Sequence, residues 1–548
     1  MHKIKKIGVL LIIMSMLCEN KGDRIYAQKG NMGKEGGEVA VTLTEEPKIT
    51  TGATVEGPKT TTGATIEATE GPKTTTGATV EATIGPNATE LIKPTSMASI
   101  VPESTPMEKP SETPASTPPE AGPVTTDIGP QPDTVEKKVE KISFPYMEDK
   151  MKIQIAVKQK RRVVVTIAPV DAANQTLIWS SSNENVVKVD ENGMIQGLKV
   201  GTASITVFTT DGSNLSRDIF VQVGKRKSGT SYTEKGLTIV STKHQKYTYN
   251  EMKKDIVLLT KKYGEYLSYE VGGKSWDNRN LYVLTLGNPN AKKTVIVQAS
   301  IHGREYMTAQ LVMKQVEFYC KNYYTGTYKG TYFSELFEKV CFKIVPMSNP
   351  DGVSISQFGA SAIRNQKLRA NIQRMCRKYG RGNSSYYTRW KANARGIDLN
   401  RNFDQYWKLL STSIHAPCAS GFKGYSPVSE KESKLLVQLA NKEKPSAVLS
   451  YHAMGQIIYW NFGQRGSLRT KELQLLNVVR GQTGYRPVGG AFSRHHSTGY
   501  GDWIAVSKKT PTTTIEIGSV ACPLPSSQFP GTWSRNRLIF AATAKLYQ

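Results

Sequence analysis

From about Gly30 to Thr134 the chain carries almost no large side chain that it can bury, and this confines folded structure to the residues beyond Thr134. The stretch is Thr, Pro, Gly, Ala and Glu. A repeat begins at Pro47-Lys48-Ile49-Thr50-Thr51-Gly52-Ala53-Thr54-Val55-Glu56, returns from Gly57 to Glu67 and returns again from Gly71 to Glu81. With so little apolar area to remove from water, such a segment cannot offset the entropy of ordering its backbone, so residues 28–135 read as a disordered spacer. The period is too short and too polar for a solenoid.

Ahead of the spacer, Met1 to Lys6 is basic, Ile7 to Leu17 is apolar and Ile25-Tyr26-Ala27 ends on a small residue. This is the layout of a secretory signal over residues 1–27. The run is too short for a comfortable membrane span. A lipid-attachment reading through Cys18 fits less well, because Ser15-Met16-Leu17 lacks the small residue such a site wants. No later stretch is long and apolar enough to span a bilayer, so the mature chain is expected to be soluble, secreted or associated with the cell wall. The 72 Lys+Arg against 46 Asp+Glu give +26, which predicts attraction to polyanions. Export argues against nucleic acid and leaves two readings: a solvated basic surface, or binding to anionic cell-wall polymers. After Cys18 come Cys320, Cys341, Cys376, Cys418 and Cys522, an odd number without a CxxC pair, which disfavours a cysteine zinc site. Either Cys376 and Cys418, flanking one loop, form a disulfide, or all five are buried thiols.

Residues 136–224 change character. Short β-branched runs occur at Ile153 to Val157, Arg162 to Ile167, Thr176 to Trp179, Val186 to Val189, Ser204 to Phe208 and Ile219 to Val223. Turn signals at Asp190-Glu191-Asn192-Gly193 and Thr210-Asp211-Gly212 separate them, so the segment reads as a small all-β sandwich. It resembles the bacterial immunoglobulin-like domains of surface proteins in Trp179-Ser180-Ser181-Ser182-Asn183, Val189-Asp190-Glu191-Asn192-Gly193 and Gly201-Thr202-Ala203. Such modules serve as spacers at least as often as binders.

In residues 229–548 helical and strand patterns alternate. Asn250 to Tyr263 has helical spacing, and Met307 to Cys320 lines Met307, Leu311, Val312 and Val316 along one helical face. Strand patterns lie at Leu281 to Leu286, Thr294 to Ser300, Phe342 to Val345, Ala447 to Tyr451 and Thr512 to Ile517, giving an α/β domain. Ser429 and Glu432 have the spacing of a capping box, which predicts a helix starting there.

Catalytic zinc takes three nitrogen or oxygen ligands and keeps a position open, usually with two ligands close in sequence and one far away. His302-Gly303-Arg304-Glu305 supplies the close pair after a strand, and His452, following Ser450-Tyr451 in another strand, supplies the distant one. Strand ends of an α/β sheet converge on one edge, so the three can meet. Amide hydrolysis also needs a carboxylate to take a proton from water and deliver it to the leaving amine. Glu516, in Thr512-Thr513-Thr514-Ile515-Glu516-Ile517-Gly518, points to the face opposite Ile515 and Ile517 and meets that need. Alone it would pass for an edge-strand glutamate. His495 and His496, in a polar stretch, read as an exposed loop rather than as ligands.

The domain resembles the metallocarboxypeptidase family that includes carboxypeptidase A, from Tyr247-Thr248-Tyr249 to the C-terminus. The resemblance is carried by His302-Gly303-Arg304-Glu305, Ser348-Asn349-Pro350-Asp351-Gly352, Gly396-Ile397-Asp398-Leu399-Asn400-Arg401-Asn402-Phe403, Ser450-Tyr451-His452 and Thr514-Ile515-Glu516. It implies a mixed, twisted eight-stranded sheet between helices, one zinc ion and a water-promoted mechanism with Glu516 as base. It also implies that Asn400 and Arg401 hold a substrate carboxylate, which suits a guanidinium fork, and that Arg304 contacts substrate. Where the family has an arginine after a tryptophan to polarise the scissile carbonyl, this chain has Lys391 after Trp390, with Arg389 before it. Lys391 would act as a point charge without a fork. The family's capping tyrosine has no clear counterpart; Tyr500 is the nearest candidate.

Trp390-Lys391-Ala392-Asn393-Ala394-Arg395-Gly396, His452-Ala453-Met454-Gly455-Gln456-Ile457-Ile458-Tyr459-Trp460 and Gly499-Tyr500-Gly501-Asp502-Trp503 are more similar to the bacterial γ-D-glutamyl-diaminopimelate peptidase branch, which cleaves peptidoglycan stem peptides. On that resemblance Asp502 meets a cationic substrate end; the alternative is a helix cap before Trp503. Three readings result: a wall-peptide hydrolase, a general extracellular carboxypeptidase, and an inert wall-binding protein. The full set His302, Glu305, His452 and Glu516 speaks against the third.

Overall fold

Alternation of apolar and polar residues builds the first folded body. In Gly201–Thr209, Ala203, Ile205 and Val207 are buried, and they share a core with Ile219, Val221 and Val223 of Ser216–Gly224. The computed structural model describes residues 136–147, 151–489 and 498–548. The signal-like N-terminus, the repeats, His495 and His496 lie outside them.

Lys152–Ala156, Ser216–Gly224, Gly201–Thr209 and Leu177–Ser181 form a four-stranded sheet in that order. A three-stranded sheet of Lys160–Arg162, Met194–Gly197 and Val187–Val189, and an antiparallel pair of Lys141–Ser143 with Thr166–Ala168, complete the Ig-like module. The run expected as one strand from Arg162 to Ile167 is two pieces, Lys160–Arg162 and Thr166–Ala168, paired in different sheets. Met194–Gly197 leaves no pattern in the sequence because four residues are too few to display alternation.

The module is bonded to the α/β domain. Gln159 is fully buried, receives the Ala156 N–H on its side-chain oxygen at 2.9 Å, and donates to the Tyr324 carbonyl and Ser334 Oγ, both at 3.0 Å. Arg161 lies over the Tyr324 ring at 4.2 Å and pairs with Glu265 at 3.2 Å, both side chains being largely buried. Just past the module, Arg226 makes a two-pronged pair with Glu335 at 2.7 and 2.8 Å.

The α/β domain is one mixed sheet of eight strands: β1 Leu267–Lys274, β2 Asn280–Leu286, β3 Lys293–Ala299, β4 Val340–Val345, β5 Ala447–Ala453, β6 Ile457–Asn461, β7 Arg486–Gly489 and β8 Thr512–Ile517. Their spatial order is β1-β2-β4-β3-β5-β8-β6-β7. The central β4, β3, β5 and β8 run parallel, and β2 and β6 pair antiparallel on either side. Buried on both faces, β3, β4 and β5 are largely apolar, whereas β8 is Thr512-Thr513-Thr514-Ile515-Glu516-Ile517. Val295 and Val297 of β3 enter one core with α1 Tyr249–Tyr263, α2 Met307–Lys321 and Ile539–Tyr547, while Ile296 enters the other with Leu435, Leu436 and Leu439. Thr248 and Glu251 cap α1 reciprocally. The capping box expected at Ser429 and Glu432 does not form. The helix there is Lys431–Glu443, and Ser429 Oγ instead donates to Glu430 at 2.8 Å. The Cys376–Cys418 disulfide is also absent: all five cysteines are free, and each of these two thiols contacts a nearby carbonyl, Asn383 and Ser420 respectively.

Glu472, in helix Gly466–Thr483, is almost fully buried. One oxygen accepts from Gln464 at 3.0 Å and from the Thr512 N–H at 3.1 Å; the other has no partner among the described residues. Burial pushes its pKa up to about 9. In the unfolded chain it ionises near the ordinary glutamate value, so the raised folded pKa gives stability that is complete below that value and is lost as pH rises through about 9. Glu472→Gln should leave stability at pH 4 unchanged and add on the order of 1–3 kcal/mol at pH 8, read by chemical unfolding at both pH values.

Candidate metal centre

The C-terminal ends of β3, β5 and β8 bring the chemistry to one edge of the sheet. After β3 the chain turns sharply at Ser300, whose φ of +50° is a left-handed conformation, and its N–H is held by Thr308 Oγ1 at 2.9 Å. The turn delivers His302 and then the single helical turn Gly303–Glu305. A Cβ on Gly303 would lie 2.3 Å from the Gly352 carbonyl oxygen, and one on Gly352 would lie 2.4 Å from the Ala392 carbonyl oxygen. The three backbones therefore touch, and only glycine fits at the two contact points. Asn349 ties them: its amide nitrogen lies 3.0–3.2 Å from the carbonyls of Ile301, Lys391 and Ala392, and its oxygen accepts the Gly352 N–H at 2.9 Å.

Glu305 sits at the centre with 3% of its surface exposed. His302 Nδ1 lies 2.8 Å from one of its oxygens and His452 Nδ1 3.2 Å from the other, which also accepts the Ala453 N–H at 3.2 Å. Ligand atoms of the three residues all lie within 4.8 Å of one another. On the far side of the ring, His302 Nε2 is 3.2 Å from Asp398 Oδ1, without the alignment of a hydrogen bond. A carboxylate behind the imidazole favours a proton on Nε2 and frees Nδ1 as a metal donor. Two imidazole nitrogens and one carboxylate, buried and convergent, fit zinc. A zinc ion held there supplies a Lewis acid and an acidified water.

Burial alone would raise the Glu305 pKa, but the neighbouring histidines, His302 first, outweigh it and hold it well below the usual carboxylate range. Burial likewise works against His302, yet Glu305 and Asp398 carry its pKa upward. Asp398 is buried too, and His302, Arg401 and Lys391 hold it ionised far below its ordinary value. It also accepts the N–H groups of Asn400 and Gly421, at 3.1 and 3.0 Å. Asp398 and Asn349 both stand in motifs visible in the sequence, yet the sequence reading gives neither a role; an acid three residues before an arginine in a strand-edge loop is the signal that marks Asp398.

Glu516 lies opposite His452 in the β5–β8 register, so both project from the same face one strand spacing apart. Tyr451 turns to the other face, where Gln315 donates to its hydroxyl at 3.2 Å. Burial, reinforced by Glu305, pushes the Glu516 pKa up to about 8, with His302, Lys391 and Arg304 opposing. The Lys391 charge thus acts on both Glu516 and Asp398. Arg304 and Arg401 are partly exposed, and Arg401 donates to the Asn400 carbonyl at 3.0 Å. Asn400 Oδ1 accepts the Tyr500 N–H at 3.0 Å, orienting the side-chain amide. Asp502 accepts the Gly499 N–H at 2.9 Å and so caps the helix Tyr500–Ser507, the second of its two sequence readings. Tyr500 is fully buried against Phe403 and Trp503 and does not serve as a cap over the cleft. Arg389 is exposed.

A convergent His, Glu, His set on the edge of a mixed eight-stranded sheet defines a metallopeptidase. The zinc carboxypeptidase family model matches residues 252–538, more than half the chain, and the chain belongs to that family. A bacterial Ig-like domain (group 2) model matches residues 149–218. The chain is 29% identical over 304 residues to the gamma-D-glutamyl-L-diamino acid endopeptidase 1 of Lysinibacillus sphaericus, covering 54% of this chain and 72% of that one. It is 27% identical to the mast cell carboxypeptidase A of Rattus norvegicus, over 44% of this chain and 54% of the relative. Among solved structures, thrombin activatable fibrinolysis inhibitor matches with a TM-score of 0.44 and 21% identity, covering 57% of this chain and 77% of that one.

Partners behind a metal-binding histidine typically set affinity by about 10–100-fold. Asp398→Asn should weaken zinc retention by about that factor while leaving the fold intact, measured by competition with a chromogenic chelator alongside circular dichroism.

Proposed function

We propose that this chain is an exported zinc peptidase that hydrolyses the γ-D-glutamyl–diamino acid amide of peptidoglycan stem peptides. The observation that carries the hydrolytic part is the register that sets Glu516 beside His452, with His302 and Glu305 across from them. The substrate is supported by the activity for which the Lysinibacillus relative is named and by the Lys391, His452 and Gly499 motifs. Export is supported by the basic and apolar N-terminus.

In this reading His302, Glu305 and His452 hold zinc. Glu516 takes a proton from water and returns it to the leaving amine, a task open to a carboxylate that stands beside the ligand set. Lys391 places positive charge where negative charge grows on the scissile carbonyl oxygen. Asn400, Arg401 and Arg304 bind a substrate carboxylate, of which stem peptides carry several. A second reading, removal of single C-terminal residues from protein fragments, is favoured by the same Asn400–Arg401 pair.

Because the Ig-like module is bonded into the α/β domain, the test uses both together. Purified stem peptides and unblocked L-peptides are incubated with and without chelator and read by mass spectrometry. Chelator-sensitive scission at the γ-D-glutamyl bond is expected; release of single C-terminal L-residues with intact stem peptides would replace this reading with the second. Glu516→Gln should lower kcat by about 10²–10⁴-fold with zinc content unchanged.

A further inference from the structure

The net charge of +26 is not spread along the chain. Residues 225–548 hold 48 Lys+Arg against 19 Asp+Glu, a balance of +29, whereas residues 1–224 hold 24 against 27. Among the described residues, nine of those 19 acids are buried, but only one of the cations, Lys314. The surface of the α/β domain is thus more cationic than its composition. Its extreme is residues 352–397, which contain ten Lys+Arg and no acid.

The centre of that stretch is the helix Gln366–Gly380. Its buried residues Ile372, Met375 and Cys376 lie on the side of Trp390, and Ile372, Met375 and Trp390 share one cluster. Its exposed face carries Lys367, Arg374, Arg377 and Lys378, continued by Arg381 just past the C-terminus, and none of these five has a carboxylate within ion-pair distance among the described residues. Arg374 with Lys378, and Arg377 with Arg381, are like charges four residues apart, a spacing that costs helix stability. Beside them a cleft of about 280 Å³ is lined by Arg374, Lys378, Tyr379, Arg395 and Pro417. Arg395 is held in it by Glu430 at 3.0 Å and by stacking over Trp276 at 4.5 Å. Arg395, in that cleft, stands three residues before Asp398, which is 3.2 Å from His302.

We infer that the helix Gln366–Gly380 and its cleft bind an extended phosphodiester polymer, holding the enzyme on an anionic matrix next to its catalytic edge. The chemistry favours such a ligand: guanidinium and ammonium groups repeat along one face and match charges repeated along a flexible chain. Tyr379 is the one half-exposed large aromatic on the helix, so the base-stacking platform of single-strand nucleic-acid sites is not present there. The matrix role rests on the wall-peptide reading; the binding itself does not.

The test measures binding of the full chain to immobilised poly(glycerol phosphate) between 50 and 200 mM salt, roughly the range over which such contacts are screened. One variant combines Arg374→Ser, Arg377→Ser, Lys378→Ser and Arg381→Ser. A control removes the four exposed lysines of α1, Lys253, Lys254, Lys261 and Lys262, in the same way. The helix variant should bind at least about ten-fold more weakly, with the slope of log affinity against log salt shallower by about 3. Its zinc content and its hydrolysis of a short peptide should be unchanged, which also reports that it folds. The single variant Lys378→Glu should weaken binding in the same direction. Equal loss in the α1 control would mean diffuse net charge and overturn the proposal. So would tighter, helix-dependent binding of single-stranded DNA of matched charge. Since binding is read without substrate, failure here leaves the peptidase reading standing, and failure of that reading leaves this measurement intact.

Discussion

An ionised carboxylate taken out of water is costly unless opposite charge and hydrogen bonds meet it, and Glu305 is such a group. The surrounding architecture serves that requirement. Two imidazoles approach its two oxygens, the Ala453 N–H closes on one of them, and Asp398 stands behind His302 to hold its ring. These partners come from widely separated parts of the chain. The parallel run of β3, β5 and β8 is what allows residues 302, 452 and 516 to share one edge. A dication accommodated among them takes over the compensation that the histidines otherwise provide, so metal binding and the folding of this edge are linked.

Much of this was legible in the residues. The central strands β3 and β5 announced themselves as apolar runs, β8 by the alternation of Ile515, Glu516 and Ile517, and α1 and α2 by helical spacing, because burial on both faces or on one stripe leaves such a mark. The metal set was legible because its close pair and its distant partner each end a strand. Short or polar elements left no such mark: β7 has four residues, and the helix Gln366–Gly380 is so cationic that its three buried residues were lost among charges. Side-chain commitments were least legible. Asp502 has the same sequence neighbourhood whether it caps a helix or meets a substrate, and Ser429 and Glu432 keep the spacing of a capping box while the helix starts beyond Ser429. The cysteines Cys376 and Cys418 flank a loop, but flanking does not bring thiols together in the orientation a disulfide demands.

The Ig-like module changes meaning once its contacts are seen. Sequence alone allows a bead on a string. Gln159 fully buried between the two bodies, and Arg161 stacked on Tyr324 while paired with Glu265, describe instead a joint whose polar groups are matched as in a domain interior. The contacts lie on α/β-domain residues 265 and 324–335, removed in sequence from all the residues of the metal edge.

The contact of backbones at Gly303, Gly352 and Ala392 bears on how such a chain can change over generations. Because a single methyl group at either glycine would collide with a neighbouring carbonyl, three segments separated by about fifty and forty residues must vary as a unit. Neutral drift can rewrite the helices around them, and even load one with positive charge, while this knot of main chain stays unaltered. Lineages that lose the ability to hold zinc would therefore be expected to lose histidines before glycines, leaving a recognisable skeleton after the chemistry has gone.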